Sequence, residues 1–519
     1  MDDPLKRLIE RRHPEYAAMK PHWDFVGATY EGGRAWFDGN IFRYFKEGDE
    51  EYADRVLRAH RFNHTREVVD LVDKYLFKVD ITRREDDAPS SVKNFWKKAT
   101  RNGLDMQAYV RRISNKTSTY GRVWIVVDSN APAVSEGGAK KADLPTVADE
   151  KAGAVQIYSY IVLPQQVLDM SYADDGSLNW ILIHEVARDD QDPMASSGTQ
   201  LNRFRLWTRD EWKLYEVKKE GRKLKVMLLN QGVHGLGEVP VFPADHTTSD
   251  ELYCSEGLID DIAYMDRAIA NYLSNLDAII QDQTFSQLAM PAQGLMPGDE
   301  GEAKMKEVGT KRIFTYDGST THAPEFISPD PKQAQLILSA IAKITSGIYQ
   351  SVGLSAERNN NDGGTSQGDS AASGVAKAYD FERVNSLLSS KAASLRKTEE
   401  RVARLVALWA GQLNEFLQHE EHVEYPDNFD VRGLYDEFEI AARLTLLNAP
   451  EAVRRAQMKL VINKLFPLLP EDELNEMLAD LKDWPPEDLL ALGASGKPTG
   501  AGGPIKAASA QKTAKELTA

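Results

Sequence analysis

Ser255–Gln283 reads SEGLIDDIAYMDRAIANYLSNLDAIIQDQ, and the reading of this stretch decides how the chain is organised. Apolar side chains recur at Leu258, Ile262, Met265, Ile269, Tyr272, Leu276 and Ile280. Steps of three and four lay one stripe along a helix. Ser255 suits the N-cap position, although no Glu or Gln stands three residues on to close a capping box. Pro291, Gly294, Pro297 and Gly298 lie just past the segment and cannot continue it. Such a helix measures roughly 40 Å. Its other faces carry Glu256, Asp260, Asp261, Asp266, Asp277 and Asp282 against Arg267 alone. Periodicity by itself describes a surface helix with a solvated acidic side.

Working upstream, Val239-Pro240-Val241-Phe242-Pro243 is a short apolar strand, and Asp245-His246-Thr247-Thr248-Ser249-Asp250 is a polar break before the helix. Val123–Val127 is a buried strand run closed by Asp128-Ser129-Asn130, and strands resume at 155–158, 180–184, 203–207, 212–215 and 225–228. Short turns between the last few predict a mostly antiparallel sheet. Residues 131–154 are rich in Ala, Gly, Pro and charge and read as an exposed loop. Residues 1–80 are helical and polar, and 92–112 read as one further helix anchored by Phe95 and Trp96. His60 and His64 are four apart, as ligands on a helix would be. No Glu beside the first and no third ligand accompany them, so they read as surface histidines.

Working downstream, 289–330 is a compact insert with Lys311–Tyr316 as its best strand. A second helix runs from Lys332 to about Ser351, and the two helices flanking the insert are expected to lie antiparallel with their stripes together. Glu357–Ser370 is a polar Gly/Asn loop. It lacks a Gly-x-x-x-x-Gly-Lys-Ser/Thr pattern and a preceding strand, so no nucleotide site is expected. From about Ser373 to Leu417 runs the longest helix, with Leu388, Leu395, Val402 and Trp409 seven apart. Helical segments at 437–447, 450–466 and 471–492 follow. His419 and His422 flank Glu420-Glu421 as a solvated charge cluster, and the tail from Gly493 is expected to be disordered.

The chain has 519 residues, room for several domains, with 42% hydrophobic and 27% charged residues. No run of about 20 apolar residues occurs, which argues against a membrane span. Met1–Arg7 has no apolar core of a secretory signal. The one cysteine, Cys254, excludes an intrachain disulfide framework and a cysteine-rich zinc site. No cofactor or metal is expected. A cytoplasmic setting, the chain's own or a host's, is the simplest. The formal charge of −16 argues against wrapping nucleic acid, which needs concentrated Lys and Arg. Any role with DNA is one in which DNA must not stick.

Taken in order, these parts resemble a tailed-bacteriophage portal protein, the head-to-tail connector. The residues that carry the likeness are Gly237-Glu238-Val239-Pro240-Val241 ahead of the acidic helix, the β insert, and Tyr349-Gln350-Ser351-Val352-Gly353-Leu354 closing the second helix. The polar loop then leads to Ser373-Gly374-Val375-Ala376 and the long helix, so the likeness covers roughly residues 30–490. It implies an α+β, portal-like protomer with wing, helical stem, small β clip and mainly α-helical crown. On that likeness 1–250 is the wing, 251–288 the first stem helix, 289–330 the clip and 331–352 the second stem helix. Residues 353–373 become the tunnel loop, 374–425 the long wing helix, 426–492 the crown and 493–519 a disordered tail.

The same likeness implies a dodecameric ring at a unique capsid vertex, a component of the virion that assembles in the host cytoplasm. Double-stranded DNA passes through without sequence-specific contact. The terminase large subunit, the head–tail adaptor, and the major capsid and scaffold proteins are the implied partners, with no membrane and no catalysis. Asp260, Asp261 and Asp277 would line the channel, where a wall of carboxylates lets DNA slide. Asn359, Asn360, Asn361, Asp362, Thr365 and Gln367 fall in the tunnel loop, and Lys311, Arg312 and Tyr316 on the clip's partner face. The chain departs from the family in a loop without aromatics and with few basic residues, and in a Pro-rich 467–486. Two other readings stay open: an enzyme built on Asp245, His246 and Asp250, without a nucleophile motif, and a different ring or adaptor of virion assembly.

Overall fold

A computed structural model of the chain describes residues 4–45, 47–78, 80–130, 156–190, 192–220, 223–284, 287–291, 313–316, 325–327, 331–353, 374–426, 429, 450–465, 477 and 479. The fold is α+β, in two units, Met1–Phe429 and Asp430–Ala519. The first opens with helices α1 (Pro4–Glu10), α2 (Tyr16–Glu31), α3 (Asp49–Arg58) and α4 (His64–Leu76), then β1 (Thr82–Arg83), α5 (Ser90–Lys97) and α6 (Met106–Tyr120). Strands β2 (Arg122–Ser129), β3 (Ile157–Val162), β4 (Val167–Tyr172), β5 (Leu178–Arg188), β6 (Gln200–Thr208), β7 (Glu211–Glu220), β8 (Lys223–Val233) and β9 (Val241–Asp245) follow. Next come α7 (Ile262–Thr284), β10 (Gln287–Pro291), β11 (Ile313–Tyr316), β12 (Glu325–Ile327) and α8 (Pro331–Ser351). The unit ends with α9 (Gly374–Trp409), α10 (Leu413–Phe416) and β13 (Val423–Glu424). In the second unit α11 (Glu451–Leu465) is described.

Strand β2 is apolar from Val123 to Val127 because it is central: β3 and β9 pair with it, both antiparallel, and α6 and α9 pack on that sheet. Val123, Ile125, Val126 and Val127 are all at 0% exposure. A separate antiparallel sheet runs β4-β5-β6-β7-β8 in chain order, as the short turns predicted, with Trp207 buried in it. On α9 the seven-residue stripe is interior, since Leu388, Leu395 and Val402 are all buried.

Helices α7 and α8 form the expected antiparallel pair, and register explains why. Gln287, just past α7, pairs with Ile327, just before α8, across the sheet β11-β10-β12. Gln287 and Ile327 therefore lie at the same end of that sheet, and the two helices pack on each other.

Several expectations are corrected. Residues 92–112 make two helices, because Gly103 turns the chain at φ 83 and Asp105 caps α6 by accepting from the Ala108 N–H at 2.8 Å. Helix α7 starts at Ile262, and Ser255 is not its cap. The Asp260 carboxylate takes the Gly257 N–H at 2.8 Å, and the Leu258 N–H donates to the Ser118 carbonyl at 3.0 Å, so both groups are committed outside the helix. Ser255 itself lies against Gly121, whose φ of 76 and close approach to the Ser255 carbonyl leave no space for a Cβ. His64 is interior, 3.1 Å from the Tyr349 hydroxyl, and His422 is fully buried and stacked on Phe416 at 4.0 Å. Neither is a surface histidine.

Candidate functional site at the root of the helical hairpin

The buried side of α7 shares only Ile262 and Ile269 with the stripe that periodicity picked out. Ile262, Ala263, Asp266, Ile269, Ala270 and Ser274 are buried, while Met265 is 37% and Ile280 51% exposed. The N-terminal helices meet α7 with small and polar side chains, and a ladder of directional contacts results. His22 bridges Asp260 and the Tyr264 hydroxyl, each at 3.1 Å. Asp266 accepts from Arg61 at 2.9 Å and from the Thr65 hydroxyl at 2.8 Å. Arg267 lies over the rings of Phe25 and Phe42 at 4.5 and 5.3 Å. Asn271 takes the Phe42 N–H at 2.8 Å and donates to the Asn40 carbonyl at 2.9 Å. Arg55 reaches the Ser274 hydroxyl at 3.0 Å, the Tyr44 hydroxyl reaches Asn275 at 2.7 Å, and Arg58 pairs with Asp277 at 3.7 Å.

The acid excess read from Ser255–Gln283 is thus reduced by cations that other segments deliver. Burial raises the Asp266 carboxyl above its usual range and lowers the Arg61 guanidinium. An arginine keeps its proton at any ordinary pH, so Arg61 brings a positive charge to the Asp266 carboxyl and opposes that rise.

Asp260 and Asp261 are brought together on one cleft of about 890 Å³, walled by Glu256 and Met265, by Ser351 and Val352 at the end of α8, and by Arg383 of α9. Asp261 is exposed there, whereas Asp260 is tied to His22 and Gly257. Asp277 is elsewhere, sixteen residues on and roughly 24 Å along the helix. Tyr316 is at the end of β11, in register with Pro291. Lys311, Arg312, Asn359, Asn360, Asn361, Asp362, Thr365 and Gln367 lie outside the described residues, as do the loop 354–373, most of 426–492 and all of 493–519.

Behind the cleft stands a group that sequence reading missed. Lys391 of α9 is 0% exposed and donates to the Ser118 hydroxyl at 2.7 Å and the Ser114 carbonyl at 3.0 Å, with His246 Nδ1 at 2.9 Å. Burial holds its pKa down at about 8, and burial with the Lys391 charge pushes His246 well below the ordinary histidine value. Asp245 is gripped by both nitrogens of the Arg122 fork at 2.6 and 2.9 Å. Asp245 and His246 therefore serve different partners. The available signal was Lys391 itself, three residues after Leu388 and four before Leu395, a charge on an apolar stripe.

Among the described residues no helix is long and apolar enough to cross a membrane, and no group of three or more His, Cys, Asp or Glu side chains converges. No protein-family model matches the chain, and no curated protein matches it. Solved structures are similar to it, two of them as follows. One is a chain in the neck of an empty gene transfer agent particle, at 10% identity and a TM-score of 0.31, covering 80% of this chain and 90% of that one. The other is a chain of the virion of a native gene transfer agent particle, at 10% identity and 0.34, covering 82% and 94%.

Proposed function

We propose that the chain is a portal protein. Twelve copies form a ring at one capsid vertex, through which double-stranded DNA is packaged and ejected and on which terminase and the head–tail adaptor dock. The ring is a conduit and platform with no catalysis of its own. What supports this reading is the order and pairing of the elements. Strand β9 leads to α7, a three-stranded sheet caps the turn, and α8 returns along α7 toward the long helix α9. A hairpin rooted in an α+β module and closed by a small sheet is the layout expected of stem, clip and wing.

Images of the purified chain at assembly concentration test it: rings with a central opening are expected, and a monomer under all assembly conditions refutes it. Within rings, Asp261→Lys tests the acidic wall, because Asp261 is exposed while Asp260 and Asp277 hold structural contacts. Rings that form but retain less DNA are expected, and unchanged packaging refutes the wall.

A further inference from the structure

We infer that the cleft between α4 and α6 is a receptor for the acidic outer stripe of α3 on a neighbouring copy of this chain. The cleft has a volume of about 630 Å³ and is walled by Lys74, Arg111, Arg112 and Lys116, with Phe77 and Asp73 in its lining. Four cations on one concavity are conspicuous in a chain of net charge −16. The chain's inner arginines are matched by carboxylates: Arg55 by Glu47, Arg61 by Asp266, Arg83 by Glu399 and Arg122 by Asp245. None of the four cleft cations forms an ion pair among the described residues. Arg111 instead lies over the Phe77 ring at 5.3 Å, and Lys116 over Tyr30 and Tyr120 at 5.9 Å each. Asp73 faces inward, bonded by the Ser114 hydroxyl. The concavity therefore presents unmatched positive charge above an aromatic surface, which suits carboxylates carried on a partly apolar element.

Helix α3 supplies that chemistry. Glu50, Asp54 and Leu57 recur at steps of four and three, so they form one stripe, and all three are exposed, Leu57 at 71%. Glu51 stands beside them, also exposed. The inward side of α3 is fastened to α7 through Arg55 and Ser274, which leaves the outer stripe to solvent within one chain. Receptor and stripe are different surfaces, so joining them is a head-to-tail contact, the type that closes rings. A duplex presents its phosphates in two long rows, whereas this cleft gathers four cations with Phe77 in one concavity of about 630 Å³, which suits a few carboxylates beside an apolar side chain. That favours the neighbouring copy over DNA.

The inference rests on the self-association in the proposed function, and the test separates the two. Full-length chain is compared by sedimentation velocity as wild type, Arg111→Glu with Arg112→Glu, Glu50→Lys with Asp54→Lys, and all four changes together. Each pair alone is expected to weaken association at least about tenfold, and the combination to recover most of it. Raising salt from about 0.1 M to about 1 M shortens the screening length from about 10 Å to about 3 Å and should weaken wild-type association in the same sense. The stripe variant sits on an exposed helix face, so its result stands even if the cleft variant misfolds. Rings that form normally with either surface reversed overturn this inference and leave the portal reading intact. A combination no better than the weaker pair overturns α3 as the occupant. Normal rings with DNA retention lost in the cleft variant assign the cleft to nucleic acid and overturn the inference. A wild type that never associates refutes the portal reading and this contact with it.

Discussion

Asp266→Ala tests whether α7 is rooted by charge. The carboxylate is 0% exposed and receives Arg61 Nη1 at 2.9 Å, the Thr65 hydroxyl at 2.8 Å and the Thr65 N–H at 3.3 Å. Without it, the Arg61 guanidinium, whose side chain is 4% exposed, keeps the Thr29 carbonyl at 2.6 Å and the Trp36 ring at 3.8 Å. Neither neutralises it. Stranding a buried charge costs about 3–5 kcal/mol. A chain of this size need not unfold in one step, so the assay is the first cooperative urea transition. With a slope of about 3 kcal/mol per molar, the midpoint should fall by about 1–1.7 M. Adding Arg61→Met removes the stranded cation, so the double variant should lose no more than Asp266→Ala alone. A single-variant loss under about 1 kcal/mol, or losses that simply add in the double variant, would refute the reasoning.

Lys391 titrates near 8 when folded against an ordinary 10.5, so the folded state binds fewer protons in that window and stability rises with pH through it, by about 3 kcal/mol in all. The difference in stability between wild type and Lys391→Met, followed from pH 8 to 10, cancels other groups; parallel curves would show that the buried ammonium is not the cause. His246, depressed by burial and by Lys391, should take stability away as pH falls below about 6.5, and His246→Gln should flatten that limb in the same melts. Gly121→Ala should lose at least about 2 kcal/mol, because a left-handed φ of 76 coincides with the Ser255 carbonyl. Gly176→Ala, at φ 78 with open space around it, should lose only about 1 kcal/mol, and equal losses would deny the close approach.

The elements that local pattern specifies were legible. Val123–Val127 read as a buried strand because a central strand is apolar on both faces, and α9 read as a packed helix from its seven-residue spacing. The five-stranded meander showed in its short turns, though Val167–Tyr172 was missed, since Asp169 and Ser171 interrupt its apolar run. The root of the hairpin was not legible. Asp266 looked like a solvated acid because its partner, Arg61, is 205 positions away and nothing local links them. His64 looked like a surface residue for the same reason, since Tyr349 enters from a distant element, while His422 stacks on Phe416 only because the chain folds back after α10. Composition hides such pairs, because a matched buried ion pair and two solvated charges read identically in a sequence. A charged residue in step with an apolar stripe, as at Lys391, is the one local sign of them.

Why α7 is held by polar contacts follows from what apolar burial cannot do. Hydrophobic attraction is non-directional, so an apolar helix against an apolar surface can slide or roll at little cost. Hydrogen bonds and ion pairs weaken steeply with distance and angle. A slip of α7 by one turn, about 5.4 Å, would break the contacts of Asp266, Asn271, Ser274, Asn275 and Asp277 together. The ladder therefore fixes both register and rotation, and it spans most of the helix from His22 below to Arg58 above. Its far side, carrying Met265 and Ile280, is left partly exposed and oriented. In the ring we propose, a rod that presents one face to its neighbours needs that orientation set before assembly, so that association does not also bear the cost of ordering it. The polar root is the part of α7 that does this.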